Sequence, residues 1–174
     1  MAMLKKFIII TFISVSTLSA NAQYVFDQAD MAFNVGVGLI SVDGLVPTFN
    51  LSAELGLIPT GDFGVISAGG DFEYKYSRLN GLNYNQFTLG PRAAWHLHSP
   101  FLEKSNWDIY TGLGFGFRFH SIYNSISQGL DPKIGMYMQA FIGGRMMLDD
   151  NFGIFTEIGG GAISALKAGI VYRL

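Results

Sequence analysis

The sequence predicts an all-β protein, an eight-stranded antiparallel transmembrane up-and-down β-barrel. Of its 174 residues, 49% are hydrophobic and only 14% are charged, whereas soluble domains contain about 25% charged residues. From residue 30 onward, apolar and polar residues alternate with period two, as in strands that have two different faces. Eight such segments follow one another, each about ten residues long, which is the length of a tilted strand that crosses a bilayer.

The first segment has the features of a secretory signal peptide. Lys5 and Lys6 precede an apolar run at residues 7–15, and Ala20-Asn21-Ala22 follows as a cleavage site. A transmembrane anchor is the alternative, but the run is shorter than the ~20 residues that a spanning helix needs. We expect a signal peptide at residues 1–22 and one barrel domain at residues 23–174, with 9 basic and 13 acidic residues once the two lysines are removed.

The eight predicted strands cover residues 30–39, 49–57, 66–76, 86–97, 107–120, 133–148, 152–159 and 166–174. On the first four, the apolar face includes Val35 and Val37, Phe49 and Leu51, Phe72 and Tyr74, and Leu89 and Trp95. On the last four, it includes Leu113 and Phe115, Met136 and Met138, Ile154 and Ile158, and Ile170 and Tyr172. Turn-rich segments separate the strands, and residues 121–132 form the longest predicted loop. Pro91 cannot donate to a ladder, so we expect a bulge or a local break there.

The two faces predict which side of the sheet meets lipid. No Asp, Glu, Lys, Arg or His lies on the apolar face of any of the eight strands. A soluble ligand-binding barrel would turn this face inward, but about 40 apolar side chains would overfill an eight-stranded lumen, which is only wide enough for side chains. We therefore expect the apolar face to meet lipid and the charged, glycine-rich face to line the lumen.

Aromatic residues are predicted to lie at both membrane interfaces, as in membrane barrels generally. With the N-terminus in the periplasm, the residues expected near the periplasmic rim are Trp95, Trp107, Phe152 and Tyr172. Those expected near the outer rim are Tyr76, Phe87, Phe117 and Phe119.

Three features resemble the small OmpA/OmpX-type outer-membrane β-barrel proteins, and in particular the uncharacterised outer-membrane β-barrel family. These features are the signal peptide, the strand at residues 110–118 (YTGLGFGFR) and the C-terminal strand at residues 169–174 (GIVYRL). The resemblance covers residues 23–174 and implies a Gram-negative outer membrane, with lipid as the surroundings. It also implies that Ile170, Tyr172 and Leu174 form the signal read by the barrel-assembly machinery, although Leu174 replaces the usual terminal Phe.

Charged residues of the inward face are predicted to form a paired network, because an isolated buried charge costs several kcal/mol. The predicted network consists of Glu54, Asp71, Arg92, His96, Asp108, Arg118, Arg145, Glu157 and Lys167. Hairpin register sets His96 opposite Asp108, with Arg145 close to Asp108. It also sets Glu157 opposite Lys167 and brings Asp71 near Arg92. Barrel closure brings Arg173 towards Asp30.

The sequence offers little evidence for catalysis or cofactors. It has no Cys and only three His, and His96 and His120 are expected near opposite rims, so we predict no metal or other cofactor. His120 and Ser121 are consecutive strand residues that point to opposite faces, and the His-x-Ser-Asn pattern of lipid A deacylases is absent. The net charge of −2 gives no indication of a nucleic-acid partner.

We therefore expect a non-enzymatic outer-membrane barrel without an open pore and with a structural, adhesive or interaction role. The longest outer loop is a candidate contact for an extracellular or envelope protein partner. The alternatives are a lipid A-modifying outer-membrane enzyme and a soluble periplasmic ligand-binding barrel.

Overall fold

The computed structural model describes residues 24–41, 46–79, 82–124 and 129–174. The predicted signal peptide at residues 1–22 lies outside the described residues, and the structure therefore does not bear on it. The described part of the chain contains no helix of the length and apolarity that crossing a membrane requires.

Eight strands form one closed antiparallel barrel, which confirms the predicted fold class. Each strand pairs with the next along the chain, and the last strand pairs with the first. The strands are β1 (Met31–Ser41), β2 (Thr48–Pro59), β3 (Gly64–Leu79), β4 (Leu82–Leu97), β5 (Trp107–Asn124), β6 (Gly129–Met147), β7 (Phe152–Gly160) and β8 (Ser164–Arg173). A single 3₁₀ turn at Gly61–Phe63 joins β2 to β3.

The strands are strongly tilted. If cross-strand partners are followed from Ile134 on β6 through every strand of the barrel, the path returns to β6 at Gly144, ten residues further along. An offset of ten residues along the strand, at about 3.3 Å per residue, is compared with the width of eight strands that lie about 4.7 Å apart. The ratio of these two lengths corresponds to a strand tilt of roughly 40° from the barrel axis. This tilt lies within the range typical of closed barrels.

The two ends of the barrel differ in shape. We call "the base" the end with the β2–β3, β4–β5 and β6–β7 connections, and "the top" the end with the other four. At the base the strands end nearly level. At the top, β5 has 18 residues and β6 has 19, whereas β7 has only 9. The last β6–β7 pair is Ala140 with Gly160, so residues 129–139 of β6 project as an edge without a β7 partner.

The prediction of a loop at residues 121–132 is wrong, because most of this segment is strand. β5 continues to Asn124 and β6 begins at Gly129, with Ser121 paired to Pro132. Serine, asparagine and proline in this segment indicated a loop, but proline is tolerated on an edge strand. Residue 132 lies on the part of β6 that has only one neighbouring strand.

Pro91 produces a local break rather than a bulge. On the β3 side it continues the ladder as the partner of Gly70. On the β5 side the pairs run from Leu89 with Phe117 directly to Arg92 with Gly114, without a change of register. The break leaves the β4–β5 hydrogen-bonded pairs interrupted over two residues, as the missing N–H of proline requires.

The inward and outward faces follow the predicted alternation. Large apolar side chains cover the outside, where Leu113 is 65% and Met138 is 78% exposed. The charged strand residues Glu54, Arg92 and Arg145 are buried inside. Inward glycines make room for bulky neighbours, because a Cβ at Gly112 would overlap the Phe141 ring and one at Gly143 would overlap the Tyr110 ring.

Aromatic side chains lie at both ends of the apolar outer surface. Near the base, Trp95 and Trp107 are exposed, and the Phe152 and Tyr172 rings are in contact at 4.8 Å. Near the top, the Phe87 and Phe119 rings stack with 4.5 Å between their centroids, and Phe117, two residues before Phe119 on the same face, is exposed.

Gly64→Ala should destabilise the barrel by about 1–3 kcal/mol, because Gly64 has a φ of 137° and an added Cβ would overlap the His96 carbonyl oxygen. Gly61→Ala is the matched control, since Gly61 also has a positive φ, 67°, but faces open space. Urea unfolding in detergent micelles, followed by tryptophan fluorescence, measures both variants. Equal losses of stability would show that the close approach at Gly64 has no energetic effect.

Candidate functional site: the sealed lumen

The lumen contains a cluster of buried charges around Asp108. Its carboxylate accepts hydrogen bonds from His96 Nδ1 and from Arg145 Nη1, both at 3.0 Å. In the ladder, Arg145 is the direct partner of Asp108, whereas His96 stands opposite Tyr110 rather than opposite Asp108. The structure thus brings together His96, Asp108 and Arg145, as predicted. His96 contacts Asp108 although the two residues are not direct partners in the ladder.

A second ion pair crosses the lumen from β4 to β7. Arg92 Nη2 lies 2.7 Å from Glu157 Oε1 and Arg92 Nη1 lies 3.4 Å from Glu157 Oε2, so the pair is bidentate. The Tyr110 hydroxyl donates a third hydrogen bond to Glu157 at 2.9 Å. The planar fork of arginine suits this contact because it matches both carboxylate oxygens.

Two predicted pairs, Glu157 with Lys167 and Asp71 with Arg92, lie close enough to interact electrostatically, but their shortest polar contacts are with other groups. Glu157 and Lys167 are cross-strand partners, as the hairpin register predicts, but the Lys167 ammonium lies 3.6 Å from Glu73 and Glu157 binds Arg92 instead. Asp71 accepts from the Tyr137 hydroxyl and Gln139 amide at 3.1 and 3.0 Å, while Arg92 is taken by Glu157. Register identifies the nearest backbone positions, but long side chains in a narrow lumen also reach partners on opposite strands.

Glu54 joins these groups into one network. Its carboxylate forms an ion pair with Arg145, accepts a hydrogen bond from Ser67 at 3.0 Å, and lies 3.7 Å from His96 Nε2. Aromatic rings fill the remaining space. The Arg92 guanidinium lies over the Phe141 ring at 4.1 Å, and the Arg145 guanidinium lies over Tyr110 at 4.5 Å.

Buried charges of opposite sign are nearly equal in number among the described residues. The buried acidic side chains are Glu54, Asp71, Glu73, Asp108 and Glu157, and the buried basic ones are Lys75, Arg92, Arg145 and Lys167, with His96 in addition. Burial of a charge is tolerated only where partners compensate for the lost water. The near balance therefore makes it possible for the lumen to be filled with charge and still be stable.

The chain segment before β1 closes the lumen at the base. The Phe26 side chain is buried and stacks on the His96 ring with 4.0 Å between centroids. The Phe26 carbonyl is 3.0 Å from His98 Nε2, and the Val25 carbonyl accepts from Arg173. No signal in the sequence marked Phe26, since its role depends on the closed barrel above it.

The predicted approach of Arg173 to Asp30 occurs at the base, with 3.7 Å between Nη1 and Oδ2. Asp30 precedes β1 and is partly buried. Burial raises the pKa of its carboxyl, while a hydrogen bond from the Asp27 backbone and the positive charge of Arg173 oppose this rise.

The β7–β8 turn closes the lumen at the top. Ala162 and Ile163 in this turn are buried, and the Ile163 amide donates to Glu73 at 3.1 Å. The Arg118 guanidinium holds the turn from the opposite wall by donating to the carbonyls of Gly161 and Ala162 at 2.6 and 3.2 Å. Arg118 therefore belongs to the seal at the top and not to the central network in which the sequence placed it.

A small cavity near the β7–β8 turn has a volume of about 10 Å³ and is lined by Gln139, Glu157, Ser164 and Lys167 among others. This is about the room that one water needs. Among the described residues, no three His, Asp or Glu side chains are arranged to hold a metal ion.

The predicted assembly signal lies on the outside of β8. Ile170, Tyr172 and Leu174 all face outward and are exposed. Leu174 closes the barrel at the base, where its amide donates to the Met31 carbonyl at 2.9 Å.

Comparisons with solved structures match this architecture. The N-terminal β-barrel domain of Pseudomonas aeruginosa OprF superposes with a TM-score of 0.62 at 12% identity, over 86% of this chain and 100% of that one. Neisserial surface protein A gives 0.53 at 11% identity, over 83% and 94% of the two chains. Ail, the attachment invasion locus protein of Yersinia pestis, gives 0.52 at 11% identity, over 86% and 100%.

No protein-family model and no curated protein matches the sequence. At the identities found for the solved structures, the likeness shows the fold alone. The chain is thus a closed eight-stranded antiparallel barrel whose structural neighbours are small outer-membrane barrels.

Arg92→Ala and Glu157→Ala should each destabilise the barrel by roughly 3–5 kcal/mol, because each leaves a buried charge without its partner. The double variant should lose clearly less than the sum. Glu157→Ala combined with Lys167→Ala should show a weaker coupling than the Arg92 and Glu157 pair, because the shortest ion pairs of Glu157 and Lys167 are with Arg92 and Glu73 respectively.

Urea unfolding in micelles measures this cycle, with Asp62→Ala on the exposed 3₁₀ turn as a control that should change little. Additive losses for Arg92 and Glu157 would contradict the ion pair across the lumen.

Proposed function

We propose that this protein is an integral barrel of a Gram-negative outer membrane, without an open pore, which acts as a structural, adhesive or interaction protein. The observation that supports this most strongly is the combination of an apolar outer surface with a charged lumen that is closed at both ends. Lipid then forms the surroundings of the barrel, and the top is the part available to a partner.

The outer surface supports the membrane placement. A soluble ligand-binding barrel would need its apolar face inside, but the exposed face is apolar and the charges are buried. Closure removes free sheet edges through most of the wall, which hydrocarbon demands because unpaired backbone groups are costly there. Aromatic residues at both ends of the apolar surface are typical of the two membrane interfaces.

The lumen argues against transport. The Arg92–Glu157 pair spans the barrel at mid-height, the Phe26 ring covers the base, and the β7–β8 turn covers the top. A solute would have to break several buried ion pairs to pass.

A non-enzymatic role fits the arrangement of the candidate catalytic residues. His120 lies on the inward face and Ser121 follows it on the same strand, pointing to the opposite face. Nucleophilic catalysis requires the base within hydrogen-bond reach of the hydroxyl. We therefore propose binding rather than lipid A modification.

The top supplies the surface for an interaction role. The β3–β4 and β5–β6 hairpins extend beyond the other strands, and their outward face changes there from apolar to polar. Tyr74 and Tyr76 donate from their hydroxyls to Asn85 and Asn83 at 2.9 and 3.2 Å. We propose that an extracellular or envelope protein contacts this projecting sheet, and that the barrel-assembly machinery recognises the exposed C-terminal strand.

The purified protein should form no stable porin-sized channel in planar lipid bilayers, because the lumen is filled from base to top. Single-channel recording measures this, with a general porin at the same concentration as the positive control. Reproducible conductance steps from the folded monomer would refute the closed lumen.

The protein should remain with the membrane after extraction with sodium carbonate, since its apolar surface is in lipid. It should also migrate differently on gels with and without boiling, as folded barrels do. Release into the carbonate supernatant would favour the soluble barrel instead.

A further inference from the structure

We propose that the outward face of the projecting sheet binds the sugar headgroup of a glycolipid in the surrounding leaflet. The site consists of Tyr74 and Tyr76 on β3 and of Asn83 and Asn85 on β4. We call these four residues "the tyrosine–asparagine face". Tyr76 and Asn85 are direct partners in the ladder, and Asn83 follows on the same side of β4 towards the top.

Two hydrogen bonds hold the rings of this face along the sheet. The Tyr74 hydroxyl donates to Asn85 Oδ1 at 2.9 Å. The Tyr76 hydroxyl donates to Asn83 Oδ1 at 3.2 Å. In the ladder, however, Tyr74 stands opposite Phe87, and Tyr76 stands opposite Asn85. Each tyrosine thus reaches its diagonal neighbour, which requires its ring to lie along the sheet rather than stand upright from it.

The tyrosine rings remain accessible in this arrangement. Tyr74 is 37% exposed and Tyr76 is 49% exposed, so one side of each ring is turned away from the sheet. Asn83 and Asn85 beside them are half-exposed. Because their Oδ1 atoms accept from the tyrosine hydroxyls, the two amide groups are held in a fixed orientation next to the rings.

This combination of groups suits a sugar. The face of an aromatic ring is the negative end of its quadrupole, and the C–H groups on the flat side of a pyranose ring carry small positive charges that pack against it. Sugar hydroxyls both donate and accept hydrogen bonds, as do the amide and phenol groups of asparagine and tyrosine. The tyrosine–asparagine face therefore offers both kinds of contact that a pyranose ring makes.

The charge of the surface favours a neutral sugar over a phosphate headgroup. Across the sheet from Asn85, the outward positions at the same level are Ser121 and Pro132. From Tyr76 upward, the outward residues of the projecting sheet that the structure describes include one cation, Arg78, and no carboxylate. Strong phosphate binding draws on charge-assisted bonds from several cationic groups, whereas hydroxyl and amide groups predominate here.

The level of the face selects a glycolipid over a soluble sugar, and this step rests on the proposed membrane placement. Two residues below Asn85, the Phe87 ring stacks on the Phe119 ring at the upper end of the apolar surface, where lipid headgroups begin. Below them, Leu89 and Phe117 are exposed and offer apolar surface to acyl chains. A molecule with acyl chains below and a sugar above matches both parts of this continuous surface.

The saccharide would occupy only the outward face. The protein partner proposed above would therefore contact other parts of the projecting sheet.

NMR spectroscopy of the isotope-labelled mature protein in phosphatidylcholine nanodiscs tests the proposal. Digalactosyl diacylglycerol, a neutral glycolipid, is added in increasing mole fractions, and the readout is the shift of the Asn83 and Asn85 side-chain amide signals. Phosphatidylglycerol in the disc and free digalactosylglycerol in solution are the comparison probes. We expect the glycolipid to reach half of its maximal shift at a mole fraction about fivefold lower than phosphatidylglycerol. Free digalactosylglycerol at the same total concentration should cause little shift.

Tyr76→Ala removes one ring and its bond to Asn83, and should raise the half-maximal mole fraction of the glycolipid about fivefold. Tyr84→Ala is the matched control, because Tyr84 lies between Asn83 and Asn85 in β4 but on the inward face, near His120. It should leave glycolipid binding unchanged. Gel migration with and without boiling shows that each variant is folded.

Three results would overturn the proposal. Equal shifts with phosphatidylglycerol would show contact without selection for sugar. Equal shifts with free digalactosylglycerol would assign the face to soluble sugars. Absence of any shift with the glycolipid, or equal weakening by Tyr84→Ala, would leave the outward face to a protein partner. If carbonate extraction retains the protein while the glycolipid causes no shift, this inference fails and the membrane placement stands.

Discussion

The closure of the sheet places charged side chains in a space too narrow for bulk water, and the rest of the structure depends on how these charges are compensated. Arg92, Arg145, Glu54, Asp108 and Glu157 are all buried, and each has at least one oppositely charged partner in the lumen. Removing one member leaves a buried charge, which costs far more than an exposed ion pair contributes. The ion pairs therefore fix how the strands face one another across the barrel.

The plugs at the two ends follow from the same constraint. Phe26 covers His96 at the base, and the β7–β8 turn donates an amide to Glu73 at the top. The Phe26 ring separates the His96 side chain from water, and the β7–β8 turn gives the Glu73 carboxylate a hydrogen-bond donor. Because β7 and β8 are short, the turn between them lies over the lumen. For the same reason, residues 129–139 of β6 have no partner in β7.

The sequence predicted the eight strands and the direction of each face, because apolar and polar residues alternate with period two in every strand and no charge lies on the apolar face within the predicted strand ranges. It failed at residues 121–132, where Pro132 and several polar residues indicated a loop. An edge strand tolerates these residues, and the edge exists only because β7 is short. The sequence did not predict that Phe26 and the turn between β7 and β8 close the lumen, since this closure brings together parts of the chain that are distant in sequence.

The charge network shows a similar limit. Hairpin register correctly set Glu157 opposite Lys167, and Arg145 lies close to Asp108 as predicted, but the partner of His96 in the ladder is Tyr110 and not Asp108. It could not show that Arg92 reaches Glu157 across the lumen, because that contact depends on the width of the barrel and the length of the arginine side chain. Backbone neighbours could thus be predicted from the sequence, whereas the partners of long side chains required the closed structure.

Because the chain has no cysteine, spin labels at single introduced cysteines test the central claim, an apolar outside in lipid around a dry, charged inside. In reconstituted vesicles, a label at Leu113 or Ile158 should be accessible to oxygen and inaccessible to a water-soluble nickel complex. A label at Asp62 on the base turn should show the opposite. High accessibility of Leu113 and Ile158 to the nickel complex would place the apolar face in water and contradict the account.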